Sequence, residues 1–299
     1  MNILIDFDNT FFTDNRDVDD GLALIYLLGS LDVNIVGITS TFGNSTLEEV
    51  NRCTELLLDK LGLSYDLFRS GASECGDYLT DASQWIVDKA DEYAGDLSIL
   101  ALGSMSNLAG AWLRDPEVFE KVNQLVLMGG KTSPLTFAKQ EMLELNFSVD
   151  PHAAYITLTK APRVSIMTGN NCLDLLFTRQ QYEEMFAGAE GEIAQMIQDY
   201  SDPWFRDNNI EYGIKGFYNW DTLAAAYLIN PEFFDDQIDN YRISINSLST
   251  GSLIAEDHDP TSYVTSKPIQ EVELNLPKIV QKESLKQHIY QTWLNVDEK

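Results

Sequence analysis

The stretch that decides the fold is residues 3–28, which read ILIDFDNTFFTDNRDVDDGLALIYLL. Its apolar start, residues 3–5, predicts a buried strand, and its Ala- and Leu-rich end, residues 20–28, predicts a helix. Asp6 and Asp8 follow the strand directly, and a second acidic group, DVDD, opens the helix. Ligands of parallel α/β sheets bind beyond the carboxyl ends of the strands, so both acidic groups are candidates for one site.

The rest of the chain continues the alternation of strand and helix. Apolar runs predict strands at residues 33–38, 97–102, 124–128, 163–167, 241–247 and 272–276. Helical patterns lie at residues 45–61, 81–93 and 151–160, through most of 178–230, and at 284–294. Ser45 and Glu48 form a predicted capping box for the first of these helices, and Asp150 is the predicted N-cap of the helix at 151–160. This rhythm predicts an α/β fold of Rossmann-like type, with a mainly parallel central sheet and helices on both faces. No linker interrupts it, so a single domain over residues 1–299 is expected.

The composition limits the possible partners. The 299 residues include 47 acidic and 20 basic side chains, which gives a net charge of −27. Such a surface repels nucleic acid and anionic membranes, so neither is expected as a partner. No signal-peptide pattern and no apolar stretch of membrane-spanning length is visible, and three scattered cysteines suit a reducing compartment. A cytoplasmic location is therefore expected.

The segment DFDNT, residues 6–10, by itself resembles the nucleophile motif of haloacid dehalogenase-type phosphatases. That chemistry also needs a later acidic pair for magnesium. A formal match exists at residues 76–81 (GDYLTD), but the preceding residues 70–75 (SGASEC) make a poor strand, and the DVDD group has no place in that family. The phosphatase is therefore the weaker alternative.

Six motifs in order resemble those of the nucleoside hydrolases, the inosine–uridine-preferring N-ribohydrolase family. They are DFD with DDGLA (residues 6–23), TFGN (41–44), ALGSMSNLA (101–109), VLMGG (126–130), ELNF with DPHAA (144–154) and NWD (219–221). One departure is the ten residues between Asp8 and Asp19, since the family's turn is usually shorter. The resemblance implies the nucleoside hydrolase fold and hydrolysis of the N-glycosidic bond of ribonucleosides to ribose and free base.

The resemblance also implies a metal cofactor, Ca²⁺. Its ligands would be Asp8, Asp20, Asp221 and the main-chain carbonyl of Leu102, and Asp8 would act as the general base. Calcium prefers six to eight oxygen ligands. A bound cation would also offset the repulsion among clustered carboxylates.

The same resemblance implies the contacts to a small-molecule nucleoside substrate. Asp19 and Asn44 would bind the 2′- and 3′-hydroxyls, Glu144 and Asn146 would bind the 5′ side, and Met128 would also contact the substrate. A further sugar-binding Asn of the family is absent, because residues 131–138 read KTSPLTFA.

Trp220 stands where many pyrimidine-capable members have a His before the last metal aspartate. A Trp there resembles the purine-preferring branch, in which an indole stacks on the base, so purine nucleosides are the favoured substrates. The histidines of this chain are elsewhere, at His152, His258 and His288. Other aromatic residues fit the base side or the core equally well: Trp204, Phe205, Tyr212, Phe217 and Tyr218.

Three questions stay open at this level. The protein could bind nucleosides or sugars with calcium and without turnover, since the family's His and one Asn are missing. The insert at residues 9–16 could be a lid over the ribose or an ordinary surface loop. The resemblance suggests a homo-oligomer, a dimer or a tetramer, but no sequence feature marks an interface.

Overall fold

A computed structural model describes residues 1–136, 141–255 and 269–298. Its strands are β1 Asn2–Phe7, β2 Asn34–Ser40, β3 Phe68–Arg69, β4 Leu97–Ala101, β5 Val122–Met128, β6 Leu135–Thr136, β7 Glu141–Met142, β8 Ser165–Met167, β9 Leu176–Thr178, β10 Gly216–Tyr218, β11 Phe234–Asp235, β12 Ile238–Ile243, β13 Gln270–Asn275 and β14 Lys278–Ile279. Its α-helices are α1 Asp19–Gly29, α2 Leu47–Leu61, α3 Asp81–Glu92, α4 Ser106–Arg114, α5 Pro151–Lys160, α6 Gly169–Cys172, α7 Arg179–Phe186, α8 Glu192–Glu211, α9 Trp220–Ile229, α10 Ile245–Leu248 and α11 Lys282–Leu294.

Eight strands form the central sheet, in the order β12-β13-β8-β5-β4-β1-β2-β3. All neighbouring pairs are parallel except β12 with β13, which is antiparallel. Asp6 at the end of β1 pairs with Thr39 of β2 and with Ala101 of β4, so these three strands end at one edge. The predicted mainly parallel α/β sheet is confirmed.

The sheet separates two hydrophobic cores. Successive side chains of a strand point to opposite faces, and accordingly Ile3, Ile5 and Phe7 of β1 belong to one core while Leu4 belongs to the other. Helices α1, α9 and α11 contribute to the first core, and α3, α4 and α5 to the second. Helices therefore cover both faces, as predicted.

Several predicted element boundaries are wrong. Thr46, not Ser45, caps α2, because its side chain accepts the hydrogen bond from the Glu49 backbone N–H. The strand predicted at residues 241–247 ends at Ile243, because Ser244 forms a capping box with Ser247 and starts α10. The long helical region contains β10, which pairs with β9. The Asp150 cap is confirmed, since its carboxylate accepts from the Ala153 N–H at 3.0 Å.

Within the described part of the chain, no helix has the length and apolar character needed to cross a lipid bilayer. Cys53, Cys75 and Cys172 are free thiols.

Candidate active site

The predicted site residues lie at the carboxyl ends of four neighbouring strands, β5, β4, β1 and β2. Met128 ends β5, Leu102 follows β4, Asp8 follows β1, and Asn44 lies four residues beyond β2. Two helix N-termini supply the other acidic groups: Asp19 and Asp20 in the first turn of α1, and Asp221 in the first turn of α9. The partial positive charge of a helix N-terminus stabilises carboxylates there.

The side chains of Asp19, Asp20 and Asp221 form a compact, buried group. One carboxylate oxygen from each lies within 4.8 Å of the others. Asp19 Oδ2 also accepts a hydrogen bond from the Asp221 backbone N–H at 2.9 Å, which joins the starts of α1 and α9. No ion pair between described residues involves these three carboxylates.

Burial raises the pKa of the Asp20 carboxyl and of the Asp221 carboxyl well above the usual range, and repulsion from neighbouring aspartates adds to both shifts. A purely carboxylate donor set of this kind, buried and without a described basic partner, fits a hard divalent cation. The group can therefore hold a metal ion.

Asp8 lies beside this group and is fully buried. Its Oδ2 accepts from the Asn44 backbone N–H at 2.6 Å, and its Oδ1 accepts from Asn44 Nδ2 at 3.2 Å. Asn44 Nδ2 also donates to Asp20 Oδ2 at 3.3 Å, so one amide bridges both carboxylates. Without a bound cation, burial chiefly raises the pKa of the Asp8 carboxyl to about 7.

A second polar group occupies the neighbouring strand ends. Asn146 Nδ2 donates to the main-chain carbonyls of Leu102 at 2.7 Å and Met128 at 3.1 Å. The Glu144 carboxylate accepts from the backbone N–H groups of Asn146 at 2.7 Å and Phe147 at 3.0 Å, and burial raises its pKa to about 7. The predicted residues of the 5′ side are thus brought to the predicted carbonyl ligand.

Gly43 packs directly against Asp8, because a Cβ added at residue 43 would collide with Asp8 Oδ2. The Gly43→Ala variant is expected to displace the Asp8 carboxylate and lower kcat at least about tenfold. The matched control is Gly62→Ala, whose φ of 65° costs stability but whose Cβ would meet no atom within 4 Å. Steady-state assays and thermal unfolding of both variants test this, and equal activity of the two would contradict it.

A cavity of about 370 Å³ opens over these residues, a size in the range of small-molecule sites. Eight predicted site residues line it: Asp19, Leu102, Met128, Asn44, Glu144, Asn146, Trp220 and Asp221. Asp8 and Asp20 are fully buried and adjoin the lining through Asn44. The structure therefore brings all ten predicted site residues together.

Sequence reasoning missed several lining residues. Asn208 carried no prediction, and Asp17 was a candidate only as part of the DVDD group, with no role of its own. Trp204, Tyr212 and Tyr218 fitted the base side and the core equally well. A signal existed on α8, because Trp204, Asn208 and Tyr212 are spaced by four residues and so share one helix face. Phe205 and Phe217 belong to the core instead.

Neither described histidine lines the cavity. His152 is exposed on α5, and His288 Nε2 lies 3.1 Å from Asn230 Oδ1. His258 lies outside the described residues. The missing sugar-binding Asn has no described replacement in residues 131–136, of which Leu135 lines the cavity.

The formal phosphatase match at residues 76–81 takes no part in this site. Asp77 lies in an exposed loop, where its Oδ2 accepts from the backbone N–H and the hydroxyl of Ser73. The last strand before it, β3, ends at Arg69, so the strand that a magnesium pair would follow is absent from this described segment.

A mainly parallel sheet whose strand ends gather buried carboxylates at one cavity is the arrangement of an α/β enzyme that binds a small molecule. Comparisons with known proteins identify the class. The profile of the inosine-uridine preferring nucleoside hydrolases matches residues 3–281. The chain belongs to this family, and it is accordingly an N-glycosyl hydrolase.

Relatives support the same assignment. The chain is 25% identical to "Probable uridine nucleosidase 1" of Oryza sativa subsp. japonica, over 80% of this chain and 82% of that protein. It is 23% identical to the "Pyrimidine-specific ribonucleoside hydrolase RihB" of Shigella sonnei, over 77% and 80%. Among solved structures, the "Purine-Preferring Ribonucleoside Hydrolase from Gardnerella vaginalis" has a TM-score of 0.82 at 20% identity, covering 100% of this chain and 99% of that one.

Proposed function

We propose that this protein is a calcium-dependent ribonucleoside hydrolase that prefers purine nucleosides. The observation that carries the proposal is the position of Trp220, which lines the cavity directly beside Asp221 of the carboxylate group. An aromatic ring next to the acidic centre supplies a platform for the base at the point where its bond to the sugar breaks.

Asp8, Asp20, Asp221 and the carbonyl of Leu102 would hold the calcium ion, and Asp19 is close enough to Asp20 and Asp221 to share in binding it. A bound calcium ion orients water and lowers its pKa. The all-oxygen donor set, buried and without a described basic partner, supports calcium over a softer metal.

Protein side chains provide the proton acceptor and the contacts to the sugar. Asp8 accepts a proton from the attacking water, while Asn44 holds the Asp8 carboxylate in place through two hydrogen bonds. Asp19 and Asn44 bind the 2′- and 3′-hydroxyls, and Glu144 and Asn146 bind the 5′ side, with Met128 against the sugar. Hydrogen bonds that strengthen as the sugar becomes oxocarbenium-like raise the rate as well as the affinity.

The base preference rests on aromatic residues. The rings of Trp220 and Tyr218 lie 5.2 Å apart at 45°, and both line the cavity. A purine offers more surface for stacking than a pyrimidine. The names of the relatives differ in the preferred base. The rice and Shigella proteins are named for uridine or pyrimidines, and the Gardnerella structure is named for purines.

The test is ribose release from inosine, guanosine, adenosine, uridine and cytidine, with and without a calcium chelator. Trp220→Leu is expected to lower kcat/KM for inosine about five- to tenfold, because one stacking contact is worth about 1 kcal/mol, and to lower that for uridine less. Trp112→Leu, on α4 and away from the cavity, is the matched control. A uridine preference of the wild type that Trp220→Leu leaves unchanged would contradict the purine assignment.

Other features are part of the proposal. We infer one domain over residues 1–299, a cytoplasmic location, a dimer or tetramer, and no nucleic acid or membrane partner; the net charge of −27 supports the last of these. The alternative of a calcium-dependent binder predicts chelator-sensitive nucleoside binding without ribose release, and the same assay distinguishes it.

A further inference from the structure

We propose that Arg16 contacts the leaving base and stabilises the negative charge that develops on it, so that it selects 6-oxopurines. This inference rests on the proposed function. It assigns a role to the insert between Asp8 and Asp19, which departs from the family's pattern. It also supplies a group for the task that a histidine, absent from the described cavity lining, would perform.

The charge of the cavity singles out Arg16. Four acidic side chains line the cavity: Asp17, Asp19, Glu144 and Asp221. Among the described lining residues, Arg16 is the only one with a cationic side chain. Arg16 is exposed and forms no ion pair with any residue in the described ranges, although the chain has 47 acidic residues. Its guanidinium is thus available to a ligand.

The insert is an ordered loop that its own hydrogen bonds hold together. The Thr13 N–H donates to the Thr10 carbonyl at 2.8 Å, and the Thr10 hydroxyl donates to the Asp17 carbonyl at 2.9 Å. The Asp17 carboxylate in turn accepts from the Val18 N–H at 2.8 Å. These bonds close the loop across its base and fix the backbone on both sides of Arg16.

Aromatic contacts fasten this loop to α8. The ring centroid of Tyr200 lies 4.7 Å from that of Phe12 and 5.5 Å from that of Phe11. Tyr200 begins the four-residue spacing that continues with Trp204, Asn208 and Tyr212, so the helix face that holds the loop also lines the cavity.

The other end of the loop lines the same cavity as this helix face. Arg16 and Asp17 share the lining with Trp204, Asn208 and Tyr212. Arg16 therefore lies at a cavity whose wall includes aromatic rings. The residues assigned to the ribose lie at the strand ends instead: Asn44 follows β2, and Asn146 donates to the main-chain carbonyls of Leu102 and Met128 at the ends of β4 and β5.

A cation at this position would stabilise the negative charge that forms on the leaving base. Water adds its oxygen to C1′ and its proton passes to Asp8, while the C1′–N9 bond breaks and its electron pair moves into the purine. The guanidinium holds the resulting anion by hydrogen bonds until solvent protonates it, and Arg16 itself loses no proton because an arginine guanidinium stays protonated in proteins. Donors placed where charge develops lower the barrier most in a site shielded from water.

The geometry of guanidinium also predicts selectivity. Hypoxanthine and guanine present two adjacent acceptors, O6 and N7, which a guanidinium binds with two hydrogen bonds. Adenine presents N7 but has an amino group at position 6, so it can accept only one. Inosine and guanosine should therefore depend on Arg16 more than adenosine does.

The experiment compares the wild type with Arg16→Ala and Arg16→Lys. Arg16→Ala is expected to lower kcat/KM about 100-fold for inosine and guanosine and about tenfold for adenosine, with Arg16→Lys between. Hydrolysis of p-nitrophenyl riboside should change less than about threefold, because nitrophenolate leaves without help. Arg206→Ala, which removes an equally exposed guanidinium from α8 outside the cavity lining, is the matched control.

The outcomes separate the two proposals. A wild type that releases ribose from no nucleoside overturns the proposed function and this inference with it. If the wild type is active, two results overturn the inference alone. One is that Arg16→Ala leaves kcat/KM for inosine unchanged. The other is that kcat/KM for p-nitrophenyl riboside and for inosine falls by the same factor. Unchanged unfolding temperatures are expected for both Arg16 variants, since Arg16 makes no ion pair among the described residues.

Discussion

Replacing Asp8 by asparagine is expected to lower kcat for ribose release by about 10²- to 10⁴-fold, the range in which general bases contribute. The reason is that the Asp8 carboxylate is the proposed proton acceptor. One of the two hydrogen bonds from Asn44 should still reach the new amide oxygen, so KM is expected to change less than kcat. Single-turnover assays with inosine measure the effect.

The unfolding temperature of Asp8→Asn tests the burial of this carboxylate independently of its catalytic role. Asp8 is fully buried beside Asp20, so Asp8→Asn removes one of two repelling charges and should leave the unfolding temperature of the metal-free protein equal or higher. Asp14→Asn, an exposed change in the same loop, is the matched control and should alter neither property. Ribose release by both Asp8→Asn and Asp8→Ala near the wild-type rate would remove Asp8 from the role of base.

Asp6 offers a comparison within the same motif. Its Oδ1 accepts from the Thr39 hydroxyl at 2.6 Å and from Asn107 Nδ2 at 2.8 Å, and its side chain is fully buried. These contacts join β1 to β2 and α4 below the cavity. Asp6 therefore supports the strand end that presents Asp8, and the first acidic motif divides into a supporting carboxylate and the proposed base.

Local patterns made the site predictable. Most predicted residues follow a strand or stand in the first turn of a helix, and such positions are visible as a change from an apolar run to polar residues. Asp8 and Asn44 are of this kind. Their convergence followed from one rule, that parallel strands end at a common edge. Glu144 and Asn146 lie in a loop, and only the family resemblance pointed to them.

The contacts that the sequence could not predict are those between residues far apart along the chain. Asp19 was assigned to the sugar, yet its carboxylate also bonds to the Asp221 N–H, 202 residues away, and lies within the carboxylate group. The same limit applies to α8, since a four-residue spacing defines a face but the partner of that face depends on where the helix packs. Arg16 gave no signal because its loop is placed by contacts with Tyr200.

Removing the cation is expected to lower the unfolding temperature, and the loss should grow as pH rises. Without a cation, burial raises the pKa of Asp8 to about 7 and of Asp20 and Asp221 well above the usual range. The folded state then binds protons more tightly than the unfolded state, whose carboxyls titrate near pH 4. Stability is therefore full below about pH 4 and is lost as pH rises toward and beyond 7.

Calcium should reverse this trend, because protons and the cation compete for the same carboxylates. At about 100 times its Kd a ligand stabilises by about 2.7 kcal/mol, which is about 4 °C for a chain of 299 residues. We expect a small calcium-induced shift at pH 5 and the full shift at pH 8. Differential scanning fluorimetry of chelator-treated protein, with calcium or magnesium restored, measures both.

Asp221→Asn tests whether the carboxylate group is the site of this effect. Losing one of the three clustered carboxylates should abolish most of the calcium-induced shift at pH 8, and losing one buried acid should make the metal-free protein less sensitive to pH. The exposed change Asp14→Asn should preserve the wild-type response. A calcium shift that persists in Asp221→Asn would place the cation elsewhere, and a shift produced by magnesium alone would overturn the assignment of calcium while leaving the site in place.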